Sequence, residues 1–185
     1  MKAPRIVITG RPGSGKSTLF HNILSRLKAR DYSIAGIHSP EVRVSGRRIG
    51  FKFVDLYSGK EAWLARRGYP STIRVGAYGV VVDEATSLWR EALENMSRAD
   101  IVGIDEVGPM ELRLPGFKRD LVEKVLCLDK PVILVIHYRL RDNDILGRLA
   151  NAYRYVVSIE NRVLLNKTVP EKVLMLVDEF YGKRG

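Results

Sequence analysis

Eight consecutive residues near the start of the chain, Gly10-Arg11-Pro12-Gly13-Ser14-Gly15-Lys16-Ser17, have the types and spacing that cradle a polyphosphate. The pattern is G-x-x-x-x-G-K-S/T, the P-loop. Glycines at 10, 13 and 15 admit backbone torsions that a side chain would obstruct. The loop's N–H groups can then converge on phosphate oxygens, and the helix that follows adds its positive end. Lys16 reaches the β- and γ-phosphates as a point charge, so its loss should abolish γ-phosphate binding and turnover together. The Ser17 hydroxyl is suited to Mg²⁺.

Asp105 ends the apolar run Ile101-Val102-Gly103-Ile104. A carboxylate at the C-terminal end of a strand can hold Mg²⁺, usually through water, and open α/β sheets bind ligands at those ends. Placing this strand beside the first brings Asp105 near Ser17, and the two are the expected metal ligands. Glu106 follows at once. A carboxylate there can face the γ-phosphate and orient or deprotonate a water, which favours hydrolysis over transfer to an acceptor. Gly108-Pro109-Met110-Glu111 forms a tight loop beside it, where Glu111 could help position that water.

The elements that must position these groups alternate strand and helix, which predicts an α/β fold with a mostly parallel sheet. Ile6–Thr9 reads as a buried central strand. Leu19, Phe20, Ile23, Leu24 and Leu27 share one face of a helix running from Lys16 to Arg30. Ser33–Ile37 is a second strand. Val42 and Val44 alternate with polar residues, Ser45-Gly46 turns, and Ile49, Phe51 and Phe53 alternate again, giving an inserted antiparallel β-hairpin. Gly59 to Gly79, glycine-rich and basic, reads as mobile or irregular. Asp83–Met96 is a helix whose face includes Trp89 and Met96. Strands at 101–104, 132–136 and 155–159 are predicted, with helices at 116–126, 144–150 and 170–181. Pro170 would sit in the first turn of the last helix.

The 185 residues suggest one domain spanning 1–185, large enough to bury a core without disulfides. A lone cysteine, Cys127, excludes an intramolecular disulfide and reads as a small core residue. No run reaches the roughly 20 apolar residues a membrane span requires, and the N-terminus lacks signal-peptide architecture. Cytoplasm is the expected location. The absence of glutamine and the 28% of charged residues fit a thermophilic source. Residues 1–74 carry 15 Lys and Arg against 4 Asp and Glu, while residues 75–185 carry 16 against 17. A basic first part steers anions; a nucleotide is favoured over nucleic acid because an explicit phosphate site lies in the same segment.

Several stretches together resemble one family: Gly10 to Thr18, His38-Ser-Pro-Glu-Val-Arg43 with Arg48-Ile-Gly-Phe51, Arg74-Val-Gly-Ala-Tyr-Gly79, Ile104-Asp-Glu-Val-Gly-Pro-Met-Glu-Leu112 and Glu160-Asn161-Arg162. They look like the small thermophilic nucleoside-triphosphatases, a family with a human cancer-related member. The resemblance implies a RecA-like P-loop fold and Mg²⁺-dependent hydrolysis of ATP, GTP, CTP, UTP and TTP, with diphosphates poorer substrates. It also implies two nucleotide-contacting segments. One is the phosphate loop, carried to Thr18; the other is Ile101, Val102, Gly103, Ile104, Asp105, Glu106, Val107 and Gly108.

No guanine-reading Asn-Lys-x-Asp is present; Asn166-Lys167-Thr168-Val169 lacks the aspartate. Broad base specificity is therefore expected. Asn161 and Arg162 follow the last strand, where a planar guanidinium could stack on any base. Arg43, Arg47, Arg48, Arg66, Arg67, Arg113 and Arg139 are candidates for a charge-stabilising arginine, and sequence cannot choose among them. His21, His38 and His137 lack metal-ligand spacing. Two alternatives stand beside hydrolysis. One is a nucleotide, nucleoside or polynucleotide kinase on the same scaffold. The other is a nucleotide-switched RNA-binding module, which no aromatic-interleaved motif supports.

Overall fold

The computed structural model describes residues 2–183. In chain order the strands are β1 (Arg5–Thr9), β2 (Ile34–His38), β3 (Glu41–Val44), β4 (Arg47–Asp55), β5 (Glu61–Arg67), β6 (Arg74–Val75), β7 (Tyr78–Val80), β8 (Ile101–Val107), β9 (Val132–Ile136) and β10 (Tyr153–Val156). The helices are α1 (Lys16–Lys28), α2 (Val82–Arg98), α3 (Phe117–Glu123), α4 (Asn143–Arg148) and α5 (Arg162–Tyr181).

All the described strands join one sheet in the order β10-β1-β9-β8-β2-β4-β5-β7-β6, with β3 paired to β4. The five strands from β10 to β2 run parallel. They are rich in Val and Ile, and β9 and most of β1, β2 and β8 are buried, as strands covered on both faces must be. From β2 outward the pairing turns antiparallel. Two cores lie on opposite faces. Ile6, Ile8, Leu19, Phe20, Ile23 and Val173 belong to the α1–α5 side. Val7, Phe53, Trp89, Phe117, Leu121 and Ile145 belong to the α2–α3–α4 side. Each fully buried Leu, Ile or Phe contributes about 1.5–3 kcal/mol, so these two layers hold the strand ends in place.

The helix over 83–96 forms with one more residue before it and two after, because Ala85, Leu88, Trp89, Ala92 and Met96 share a buried face. Trp89 Nε1 donates to Asp120 Oδ2 at 3.2 Å, tying α2 to α3. The predicted hairpin is β3–β4.

Five expectations need correction. First, Gly59–Gly79 is ordered: β5 pairs with β4, β7 with β5, and β6 with β7. Its glycines mark turns between short strands that share backbone hydrogen bonds across the sheet. Second, β8 does not lie beside β1; β9 stands between them. Third, α5 starts at Arg162, so Pro170 lies inside it and removes one N–H from the helical ladder. Fourth, the helix expected over 116–126 splits into α3 and a 3₁₀ turn at Val125–Cys127. Fifth, Cys127 is exposed. That turn points its thiol outward, where Arg148 donates to Sγ at 3.4 Å, while Val125 and Leu126 take the buried positions.

Candidate functional site

The chain leaves β1 at Thr9, turns through 10–15, and enters α1 at Lys16. Gly10, Gly13 and Gly15 have φ of 152°, 75° and 103°. An L side chain rarely adopts such torsions, which is why the loop needs glycine. Gly15 caps α1 in the left-handed region, and the Arg162 side chain lies 3.6 Å from where its Cβ would be. The Ser14 N–H donates to the Arg11 carbonyl at 3.2 Å, and Lys16 Nζ donates to the same carbonyl at 3.4 Å. Arg11 itself is exposed, as are Pro12, Gly13, Ser17 and Thr18.

Across the sheet edge, β8 delivers Asp105 and Glu106. Asp105 is 6% exposed. Burial pushes its carboxyl above the usual carboxylate range, while the Ser17 hydroxyl, His21 and Lys16 pull the other way. Glu106 Oε2 lies 3.9 Å from Lys16 Nζ. Burial pushes this carboxyl up as well, and Lys16 opposes the shift. The peptide between the two residues is cis. Gly108 follows, buried, and its N–H donates to Glu111 Oε2 at 3.1 Å. Glu111 is fully enclosed, and burial pushes its carboxyl up to about 8.

The structure therefore brings Lys16, Ser17, Asp105, Glu106 and Glu111 to the wall of one cavity of about 580 Å³. Ser17 and Asp105 offer hard oxygen donors on the wall of this one cavity, a donor set that would suit Mg²⁺ beside phosphate oxygens and water. Among the described residues no cluster of three or more His, Cys, Asp or Glu could hold a metal unaided. Ile101, Val102, Gly103, Ile104 and Val107 are buried in the sheet and bear on the site by carrying Asp105 and Glu106.

A second cavity, about 610 Å³, lies on the other side of the loop, between Thr9–Pro12 and Val156–Glu160, and Pro12 lines both. Asn161 sits beside it but is committed to its own turn. Its Oδ1 accepts from Ser158 N at 2.8 Å and its Nδ2 donates to Val156 O at 2.9 Å. Arg162 packs under Gly15.

Sequence reasoning passed over four cavity residues. His21, His38 and His137 line the first cavity and Tyr138 the second. Burial and the neighbouring His21 push His38 down to about 4; burial, Lys16 and Arg139 push His137 down. The signal available was position: His38 ends β2, and His137 and Tyr138 follow β9, all at C-terminal strand ends. Of the candidate arginines, Arg48 reaches the first cavity, while Arg113 and Arg139 line an adjoining groove.

A glycine-rich turn from a parallel strand into a helix, facing two carboxylates across one intervening strand, defines a P-loop nucleotide-binding protein. Comparison with known proteins narrows this. The family model described as NTPase matches residues 5–170. Nucleoside-triphosphatase THEP1 of Hyperthermus butylicus is 44% identical over 96% of this chain and 95% of its own. THEP1 of Saccharolobus solfataricus is 38% identical over 95% and 96%. The crystal structure of THEP1 from the hyperthermophile Aquifex aeolicus superposes with a TM-score of 0.77 at 30% identity, covering 94% of this chain and 99% of that one. A human cancer-related nucleoside triphosphatase, solved in solution, gives 0.75 at 30% identity over 94% and 97%. The chain belongs to this NTPase family.

Proposed function

We propose that the chain hydrolyses nucleoside 5'-triphosphates to the diphosphate and phosphate, with Mg²⁺ and with little choice of base. The observation that carries this is Glu106, 3.9 Å from Lys16 in the cavity that Ser17 and Asp105 also line. The loop amides and Lys16 hold the β- and γ-phosphates. Ser17 and Asp105 would hold Mg²⁺, whose charge would offset that of the phosphates. Glu106 accepts the proton of a water aimed at the γ-phosphorus, and a carboxyl raised by burial is the better base for it. Glu111, through the Gly108 N–H, fixes the turn that aims Glu106. The nucleoside moiety extends past Pro12 into the second cavity, against Tyr138 and the backbone of 156–160.

Broad base selection fits that second cavity, because the Asn161 amide is already occupied. The relatives named nucleoside-triphosphatases support the reaction class. Among the described residues no helix is long and apolar enough to cross a membrane; a cytoplasmic setting and a thermophilic source accord with the chain's composition and its relatives. Phosphate release from ATP, GTP, CTP, UTP and TTP, each with Mg²⁺ and with chelator, tests the proposal. Release from all five that chelator abolishes is expected. No release from any, with intact fold, would overturn it.

A further inference from the structure

The first cavity is larger than hydrolysis needs. The β- and γ-phosphoryl groups, a hydrated cation and an attacking water amount to roughly fourteen water-sized bodies, or roughly 200 Å³ of space for their centres. The cavity measures about 580 Å³. Roughly 400 Å³ remains, inside the range of pockets that take small organic molecules.

The surplus lies toward the antiparallel strands. There the lining is Phe51 of β4, Val75 of β6, Pro40, His38 and Met110. Arg48 adds a flat edge: its guanidinium lies 5.1 Å from the Phe51 ring centre and 5.5 Å from that of Tyr78. Its charge is already engaged. Nη1 bonds Glu41 Oε1 at 2.6 Å and Nε donates to the Tyr78 hydroxyl at 2.9 Å. Glu41 also accepts from Arg43 at 2.7 Å. The lobe thus offers an aromatic and guanidinium face and apolar walls, with no second glycine-rich anion cradle. Such a face stacks planar rings without choosing among them.

We propose that this lobe is an acceptor site for an uncharged, planar, hydroxyl-bearing molecule of nucleoside size, to which the γ-phosphoryl group is transferred. The inference goes beyond triphosphate hydrolysis, since water remains the acceptor when the lobe is empty. In the transfer, an acceptor hydroxyl oxygen forms a bond to the γ-phosphorus. The bond from that phosphorus to the β,γ-bridging oxygen breaks, and its electron pair leaves with the nucleoside diphosphate. The hydroxyl proton passes to the Glu106 carboxylate and then to solvent. A nucleoside becomes its monophosphate and the balance is complete.

The test uses the whole chain with Mg²⁺ and γ-labelled ATP, offered adenosine, guanosine, cytidine, uridine and thymidine at millimolar concentration. Parallel arms offer the five monophosphates. Labelled nucleoside monophosphate from at least one nucleoside, at the expense of free phosphate, is the expected result. Phe51→Ala should raise the acceptor KM about tenfold, and Phe51→Leu, which keeps apolar bulk but no ring face, should fall with it. Near-ultraviolet spectra and melting confirm that both variants fold. Label found wholly in free phosphate with every acceptor overturns the inference. Transfer to monophosphates alone overturns the uncharged class. Neither result touches triphosphate hydrolysis, which the acceptor-free arm reads separately.

Discussion

Gly10→Ala puts the loop geometry to its hardest test. A Cβ at position 10 would overlap the Val157 carbonyl oxygen and stand 2.8 Å from Ser14 Oγ, at a φ of 152°. Restoring ordinary separation demands a shift of about 1 Å. Val157 cannot easily yield, because it is 1% exposed and its N–H donates to Thr9 O at 2.7 Å. The displacement therefore falls on the loop, and its N–H groups turn off the phosphate. One lost charge-assisted hydrogen bond costs about 1.5–3 kcal/mol, or roughly 10- to 150-fold in affinity. Overpacking costs about 1–3 kcal/mol of stability, a Tm loss of roughly 2–12 °C for a chain of this size. Titration calorimetry with Mg²⁺–ATP and thermal melting read both. Gly147→Ala is the control: it lies inside α4, its Cβ would meet nothing within 4 Å, and it should gain about 0.5–1 kcal/mol. Nucleotide affinity within twofold of the parent and an unchanged Tm in Gly10→Ala would refute the reasoning.

Glu106→Gln should retain nucleotide binding while single-turnover phosphate release falls about 10²- to 10⁴-fold; undiminished release removes Glu106 from the proton transfer. The Glu111 carboxyl, raised to about 8 by burial, stays protonated in the folded chain while the unfolded chain ionises near its ordinary value. Folded protein then binds the extra proton, so this group's contribution to stability declines as pH rises from about 4.5 to 8. Glu111→Gln should flatten that part of the Tm-against-pH curve, whereas Glu111→Ala leaves the Gly108 N–H without its partner and costs about 1–3 kcal/mol at any pH; equal curves for parent and Gln variant contradict this. Asp100 works in the opposite sense. Burial would raise it, but the Ser33 hydroxyl and N–H hold it below the usual range, so Asp100→Asn should lower Tm at neutral pH and lose its effect as pH falls below the usual carboxylate range. Cys127 should react fully with a thiol reagent in native protein; protection until unfolding would mean the 3₁₀ turn faces inward.

The phosphate loop, the strand that carries Asp105 and the amphipathic α1 were legible because each is a local pattern, although that strand does not end at Asp105 as expected but runs on to Val107. Glycine spacing dictates torsions, and a run of Ile and Val dictates a buried strand. The segment 59–79 was misread for the same reason. Its strands are two to seven residues long and take their hydrogen bonds from β4 and from one another, and no local pattern records a distant partner. Cys127 was misplaced by a single-turn change of register, from helix to 3₁₀ turn, that hydrophobicity alone does not reveal.

By itself the sequence determined what chemistry to propose: which loop is suited to phosphate, which hydroxyl and carboxylate to a shared cation, and which glutamate follows. Those are properties of neighbours along the backbone. Only the tertiary structure decided where the chemistry happens and what else can reach it. The insertion of β9 between β1 and β8, the enclosure of Glu111, the histidines at three separate elements and the antiparallel wall carrying Arg48 and Phe51 all join residues far apart in the chain. Pairing across a sheet and packing in a core depend on the partners the whole fold supplies, so no segment could announce them alone.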